Sequence, residues 1–283
     1  MKILVLGAGG MAGHLATIYL SERGHDVVGF SKTPLTYCEN IIGNALNREF
    51  LKKMVLDQSF DAVINCIGVL NKEVDNHISE GIFLNSYLPH FMVDCLKGTK
   101  TKFIHLSTDC VFSGKNGGYM ENSFKDSDSF YGRTKALGEI NDRKNLTIRT
   151  SIIGPDIKEN GVGLLNWFLK QQEPVKGFTS AIWTGVSTIT LAQALEKALN
   201  ENICGIYHLV NNQTISKSEL IRLFNIHLKK DQIEIIQDDS VKVDKSLINN
   251  RNDFNFIVPS YEEMINDTKR WILNHKELYP HYF

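Results

Sequence analysis

The chain has 283 residues, long enough to bury a large core either as two small domains or as one α/β domain with an appended lobe. Its 31 Lys and Arg nearly balance 32 Asp and Glu, leaving a net charge of -1, so no long-range attraction to nucleic acid or an anionic membrane is expected. Five cysteines (Cys38, Cys66, Cys95, Cys110, Cys204) show no C-x-x-C spacing and the nine histidines no metal-ligand pairing, which predicts reduced thiols, a cytoplasmic protein and no resident metal.

Lys2 to Leu6 is an apolar run without polar alternation, as expected of a strand buried on both faces and too short for a signal peptide. No later run approaches the length of a membrane span. The strand leads into Gly7-Ala8-Gly9-Gly10-Met11-Ala12-Gly13, after which His14 to Gly24 reads as a helix and Asp26 to Phe30 as a second strand. A strand, a glycine turn, a helix and a strand in so short a stretch form the setting of a dinucleotide site. Gly7 would permit the tight turn, Gly10, followed by Met11, would let a pyrophosphate approach, and Gly13 would let helix and strand pack closely. The helix N-terminus would attract the phosphates.

Asp61 to Asn65, Lys102 to Ser107 and Leu146 to Thr150 are predicted as the third to fifth strands. Helical stretches around Asn47 to Gln58, His77 to Lys97 and Ser129 to Asp142 separate them, and such βα alternation predicts a Rossmann-like, doubly wound parallel sheet. After Gly154-Pro155 the pattern is less regular. Helices are expected over 161–169, 188–200, 216–228 and 260–274, and strands over 206–210 and 233–236. Trp167, at helical spacing with Leu164 and Phe168, reads as core, and Ser260-Tyr261-Glu262-Glu263 as a helix cap.

The chemistry is concentrated in two later stretches. Phe103-Ile104-His105-Leu106-Ser107-Thr108-Asp109 ends a buried strand in two hydroxyls, and ligands of open parallel sheets sit at such carboxyl ends. Tyr131-Gly132-Arg133-Thr134-Lys135 places a phenol and an ammonium one helical turn apart on the same face, where the cation would favour the phenolate. By position, Asn65, Cys66 and Ile67 would border the cofactor, whereas Asn85 reads either as helix packing or as a polar support. The second strand ends in Phe30-Ser31-Lys32-Thr33, not in the acid usual for an NAD ribose. A hydroxyl and a cation at Ser31 and Lys32 suit a 2′-phosphate, which favours NADPH with NADH as the alternative.

Together these pieces resemble the extended short-chain dehydrogenase/reductase family. The string Leu106-Ser107-Thr108-Asp109-Cys110-Val111-Phe112-Ser113-Gly114, then Gly118-Tyr119-Met120-Glu121, then Tyr131 to Lys135 with Gly138-Glu139, is similar to the signature of its dTDP-4-dehydrorhamnose reductases. Val63-Ile64-Asn65-Cys66 and Arg149-Thr150-Ser151 match too, so the motifs cover residues 1–155 well and the remainder loosely. There are departures: Cys110 stands where this branch has Tyr, Ile67-Gly68 replaces two alanines, and Ile152 replaces Trp.

The resemblance implies a nucleotide-binding domain over 1–155 and a smaller α/β lobe for the sugar nucleotide over 156–283, with returns to the first domain. It implies hydride transfer to a carbonyl carbon, with Tyr131 donating the proton, Thr108 hydrogen-bonding the oxygen, and Lys135 lowering the tyrosine pKa and holding the nicotinamide ribose. Thr108, Asp109 and Cys110 would border the substrate, together with Trp183 and Thr184 of the loop Phe178 to Gly185, where Trp183 reads equally as a sugar-stacking ring or a core residue. The expected substrate is the C4 ketone of a nucleotide-linked 4-keto-6-deoxysugar, used for cell-surface polysaccharide, and a homodimer is compatible with the family. A 4,6-dehydratase or epimerase of the same fold is the first alternative, although Asp109-Cys110 lacks the Asp-Glu that dehydratases carry after the Thr. A non-catalytic binding subunit, like the regulatory subunit of methionine adenosyltransferase, is the second.

Overall fold

The computed structural model describes residues 1–283, the side chain of Lys72 apart. Seven parallel strands form the main sheet, in the spatial order Gly205–His208, β6 (Leu146–Arg149), β5 (Lys102–Ser107), β4 (Ala62–Asn65), β1 (Lys2–Leu6), β2 (Asp26–Ser31) and β3 (Glu39–Ile42). The order reverses beside β1, which creates the crevice where ligands of doubly wound folds bind.

The uninterrupted apolar runs are explained by helices on both faces. Ile3 and Val5 point into one core with Ile64, Ile104 and Ile148, which Leu191 and Leu195 cover from the Thr188–Asn200 helix. Leu4 and Leu6 point into the other, with Val63 and Phe103, under Leu51 and Met92. Helix α1 (Met11–Glu22) packs alongside the Thr188–Asn200 helix.

Two strands of the main sheet differ from expectation. β3 is absent from the sequence reading because it is a four-residue edge with no fully buried position. The strand expected over 206–210 lies at Gly205–His208 and joins the main sheet beside β6, so the chain returns to the first layer after residue 155. The register then pairs Asn65 with His105, Ser107 with Arg149, and Arg149 with His208, which collects polar side chains along the carboxyl edge.

The remaining chain forms small sheets: Ala181–Trp183 pairs with Ile215–Ser216 and Val243–Asp244, and Val175–Phe178 pairs with Ile235–Asp238. Ser216 with Glu219 and Ser260 with Glu263 are reciprocal capping boxes that start the Lys217–Leu228 and Tyr261–Asn274 helices. The expectation for Trp167 is corrected: its helix spans only Leu164–Leu169, and the helical period turns Leu165 and Phe168 inward while Trp167 is 42% exposed. Beyond the last helix, Tyr279 is fully buried against α1, its hydroxyl 2.8 Å from His14 Nε2 and accepting from Trp271 Nε1 at 2.9 Å.

Candidate active site

The glycine turn forms as expected. Gly7 adopts φ +80°, a left-handed conformation open to glycine, and Gly10 caps α1 with extended backbone and no side-chain bond to the helix N–H groups. In front of it lies a cleft of about 840 Å³. Of the expected cofactor residues, Gly7, Gly10, Ser31, Lys32, Cys66 and Ile67 line this cleft, whereas Met11, Gly13, Asn65, Tyr131 and Lys135 do not. Asn65 is buried beneath it, its Oδ1 accepting from the Ile67 N–H at 3.1 Å.

At the far end of β2 the Ser31 hydroxyl donates to the Thr33 carbonyl and accepts from Asn40 Nδ2 at 3.0 Å. Lys32 Nζ lies 3.6 Å from Glu80 Oε1, and both residues border the cleft. Tyr37, also on the cleft wall, donates to the Ala8 carbonyl at 2.8 Å and so braces the glycine turn from the opposite side.

The second centre stands at the carboxyl end of β5. Thr108 begins a single 3₁₀ turn over Asp109–Val111; its hydroxyl accepts from the Cys110 N–H at 3.1 Å and donates to Asp109 Oδ1 at 3.0 Å. Ser129 caps the Phe130–Leu137 helix, which carries Tyr131 and Lys135. A β-carbon on Gly132 would stand 2.1 Å from the Cys110 carbonyl, so only glycine lets this helix abut the turn bearing Thr108. Burial drives the Tyr131 phenol above its ordinary value, the neighbouring Cys110 adds to the rise, and the nearby Thr108 hydroxyl opposes it. The buried Asp109 carboxyl also moves up through burial, against the pull of Lys217 and Lys245.

Lys135 is buried, and its Nζ turns into the sheet, 2.6 Å from the Leu106 carbonyl and 3.2 Å from His105 Nε2. Burial brings it down to about 8. In this state its Nζ is bound to the sheet, and burial is the largest influence on the phenol. Ser107 is committed as well: its hydroxyl donates to Glu139 Oε1 at 2.7 Å.

Glu139 and Arg149 form a buried bidentate pair, Nε to Oε1 and Nη2 to Oε2 both at 2.8 Å, with Lys125 3.1 Å from the same carboxylate. Arg149 Nη1 reaches His208 Nε2 at 2.7 Å, and burial with the arginine charge holds that imidazole down at about 3. Asn85, in a π-helical segment over Phe83–Tyr87, clamps Val69 by its N–H and carbonyl, both at 2.9 Å, and donates to Thr134 Oγ1 at 3.1 Å. Packing support is thus the reading its contacts favour.

The remaining expected substrate residues, Trp183 and Thr184, are both buried. Trp183 is 2% exposed in the core, its ring 5.7 Å from that of Tyr261 and under Lys217 Nζ at 5.2 Å. The fully buried Thr184 hydroxyl accepts from the Leu247 N–H at 2.8 Å. The core alternative for Trp183 is the one that this packing supports, because the ring is buried against Tyr261 and Lys217. Lys217 was not foreseen, since nothing in Ser216-Lys217-Ser218 marks a helix-start lysine as facing Asp109 and Cys110. Among the described residues no group of three or more His, Cys, Asp or Glu is placed to hold a metal ion, and no helix is long and apolar enough to cross a membrane.

Comparison with known proteins adds the family. The family described as the RmlD substrate binding domain matches residues 1–243. The probable low-salt glycan biosynthesis reductase Agl14 of Haloferax volcanii is 25% identical over 232 residues, 77% of each chain. The spore coat polysaccharide biosynthesis protein SpsK of Bacillus subtilis is 26% identical over 219 residues, 75% of this chain and 74% of its own. In shape, the chain is similar to a dTDP-4-dehydrorhamnose reductase of Bacillus anthracis solved in complex with NADP, with TM-score 0.80, 18% identity, and 95% and 99% of the two chains covered. The chain belongs to the RmlD substrate-binding-domain family and has the fold of the extended short-chain dehydrogenases/reductases, the NAD(P)-dependent oxidoreductases that its motifs resemble.

Proposed function

We propose that the protein reduces the C4 ketone of a nucleotide-linked 4-keto-6-deoxysugar, either dTDP-4-dehydrorhamnose or a UDP-linked 4-keto-6-deoxy amino sugar, in deoxysugar synthesis for cell-surface polysaccharide. The observation that carries this reading is the buried Thr108 and Tyr131 hydroxyl pair at the carboxyl end of β5, beside a glycine-turn cleft large enough for a dinucleotide. The names of Agl14 and SpsK support the setting in glycan and polysaccharide synthesis. Five free thiols agree with a cytoplasmic enzyme.

The residues fit the cofactor. The uncapped α1 N-terminus and the glycine backbone suit a pyrophosphate, and Ser31 with Lys32 suits the 2′-phosphate of NADPH, NADH being the alternative. When bound, the nicotinamide supplies the hydride. Tyr131 then gives its proton to the oxygen that gains charge, and Thr108 steadies that oxygen with a hydrogen bond. The raised tyrosine pKa keeps the phenol protonated at neutral pH, the form a donor needs. Residues 156–283, less the strand and helix that return to the main sheet, form the sugar-nucleotide lobe in this reading, with Asp109, Cys110 and Lys217 at its boundary. A dehydratase would need a second acid beside Thr108, and Cys110 occupies that place with its thiol pushed up to about 11 by burial.

The test supplies 4-keto-6-deoxy sugars made in situ by a 4,6-dehydratase, dTDP- and UDP-linked side by side, and follows the absorbance of reduced nicotinamide. NADPH oxidation with one of them is expected, and base preference appears in the ratio of kcat/KM values. A flat trace with every such sugar, in protein shown to bind NADPH, would replace this reading with that of a binding subunit.

A further inference from the structure

The segment after the Tyr261–Asn274 helix reaches back to the glycine turn. Lys276–Leu278 and Pro280–Tyr282 are two single 3₁₀ turns, and Glu277, Leu278 and Pro280 help to line the cleft in front of Gly7 and Gly10. Tyr279, between the turns, is fully buried, as is His14 of α1. The Tyr282 ring stacks on that of Tyr279 at 5.9 Å, and its hydroxyl accepts the Asp156 N–H at 2.9 Å, which anchors the segment a second time.

The hydrogen bonds from this segment to the turn can be assigned one after another. The Gly10 carbonyl can only accept, so His14 Nδ1, 3.0 Å from it, carries the imidazole proton. The Trp271 indole can only donate, and it takes an acceptor site of the Tyr279 hydroxyl at 2.9 Å. The hydroxyl hydrogen is then left for the bare His14 Nε2, 2.8 Å away. All three contacts are satisfied together by a neutral imidazole. Burial secures that state, bringing His14 down to about 4 against the Gly10 bond and the Asp156 charge.

We infer that His14 and Tyr279 are positioning residues for the dinucleotide: Tyr279 holds His14 in the tautomer that locks the Gly10 carbonyl, and so makes the segment 276–283 a working part of the cofactor site. The inference rests on the reading of the glycine turn as that site. The Gly10 carbonyl already accepts the His14 backbone N–H at 2.9 Å, the first bond of α1, and the imidazole doubles the hold on it. That carbonyl and the Met11 N–H belong to one planar peptide and point opposite ways. A carbonyl drawn into the helix therefore sends the Met11 N–H outward from its N-terminus, where it is one of the groups left for a phosphate. The Gly10 N–H is fixed separately, donating to the Gly7 carbonyl at 3.0 Å, so the turn and the imidazole together leave this peptide one orientation.

The first arm of the test uses the unaltered protein without ligand. Two-bond proton–nitrogen NMR reads the His14 tautomer, and the expected form is Nδ1–H. An Nε2–H imidazole would overturn the inference even if no variant folds. The second arm titrates NADPH and NADH into Tyr279→Phe, which removes one hydroxyl, and His14→Leu, which removes the imidazole. Affinity for both dinucleotides should fall at least about threefold in the first and about fivefold in the second, the worth of about one hydrogen bond. Phosphorus NMR of the NADPH-saturated proteins separates the two kinds of phosphate: the variants should move the pyrophosphate signals and leave the 2′-phosphate signal in place, whereas a merely structural role would leave both. Unchanged affinity and pyrophosphate signals in both variants would overturn the positioning role alone. Unaltered protein that binds neither dinucleotide would overturn the cofactor reading together with it.

Discussion

Gly13 faces the carbonyl oxygen of Gly7 so closely that a β-carbon on Gly13 would stand 2.1 Å from it. The contact is between backbone and backbone, so no side chain can swing aside to relieve it. It fixes the depth at which α1 seats on β1, and hence where its N-terminal N–H groups face the cleft. Gly13→Ala should therefore push helix and turn apart. Calorimetric titration should show dinucleotide affinity reduced at least about tenfold, and thermal unfolding a loss of about 1–3 kcal/mol from overpacking. Wild-type affinity in Gly13→Ala would mean that the turn does not form the dinucleotide site.

Tyr131→Phe keeps the ring in its packed position and removes the donor. Turnover should fall by about a hundredfold or more, the usual size of an acid–base contribution, with NADPH binding nearly unchanged. The sign of the pH dependence follows from burial: a phenol pushed above its ordinary value remains protonated through neutral pH and is lost as a donor only in strong base. An alkaline limb of kcat near pH 7 that vanished in Tyr131→Phe would contradict the raised phenol.

Much of this architecture is written in local pattern, and the failures share a cause. Lys2 to Leu6 and Phe103 to Ser107 announce themselves because a strand covered on both faces is mostly apolar along its length. The glycine turn and the Tyr131 helix are equally visible, since backbone approach and helical spacing are properties of neighbours in sequence. β3 and the place of Gly205–His208 in the main sheet depend on partners far along the chain. The same holds for side-chain duty. Ser107 looks like a free hydroxyl until Glu139 takes it, and the indole of Trp183 looks available until Tyr261 and Lys217 cover it. His105 was detectable as a lone polar residue in an apolar strand, but its partners Asn65 and Lys135 come from two other elements.

The Glu139–Arg149 pair ties the end of the Tyr131 helix to β6 without touching the cleft. Burial would raise the Glu139 carboxyl, yet the hydrogen bonds and charge of Arg149, aided by Ser107 and Lys125, hold it below its ordinary value. A depressed carboxylate contributes stability above its unfolded pKa, about 4.3, and that contribution is lost as pH falls through the folded value. Arg149→Met should strand the carboxylate and cost about 3–5 kcal/mol in urea unfolding at pH 7. The deficit should shrink below about pH 4, where the wild-type protein loses the same contribution. A deficit independent of pH would assign the effect to packing instead.

Cofactor choice turns on Lys32 and its neighbour Glu80, 3.6 Å apart at the edge of the cleft. Both side chains are substantially exposed, so their pairing adds little to stability, about 0–1 kcal/mol. Their opposite charges matter more to a ligand: a 2′-phosphate gains from the lysine and is opposed by the carboxylate, while an unphosphorylated ribose gains nothing from the lysine charge. Lys32→Ala should weaken NADPH binding by about tenfold, ~1.4 kcal/mol, and leave NADH within about twofold. Glu80→Gln should move the ratio the other way, tightening NADPH because the carboxylate no longer competes for Lys32 or repels the phosphate. Titration calorimetry of both variants with both dinucleotides at low salt resolves the two effects, and raising the salt should shrink each by screening. Equal changes for NADPH and NADH in Lys32→Ala would remove Lys32 from the phosphate and leave NADH as the better candidate.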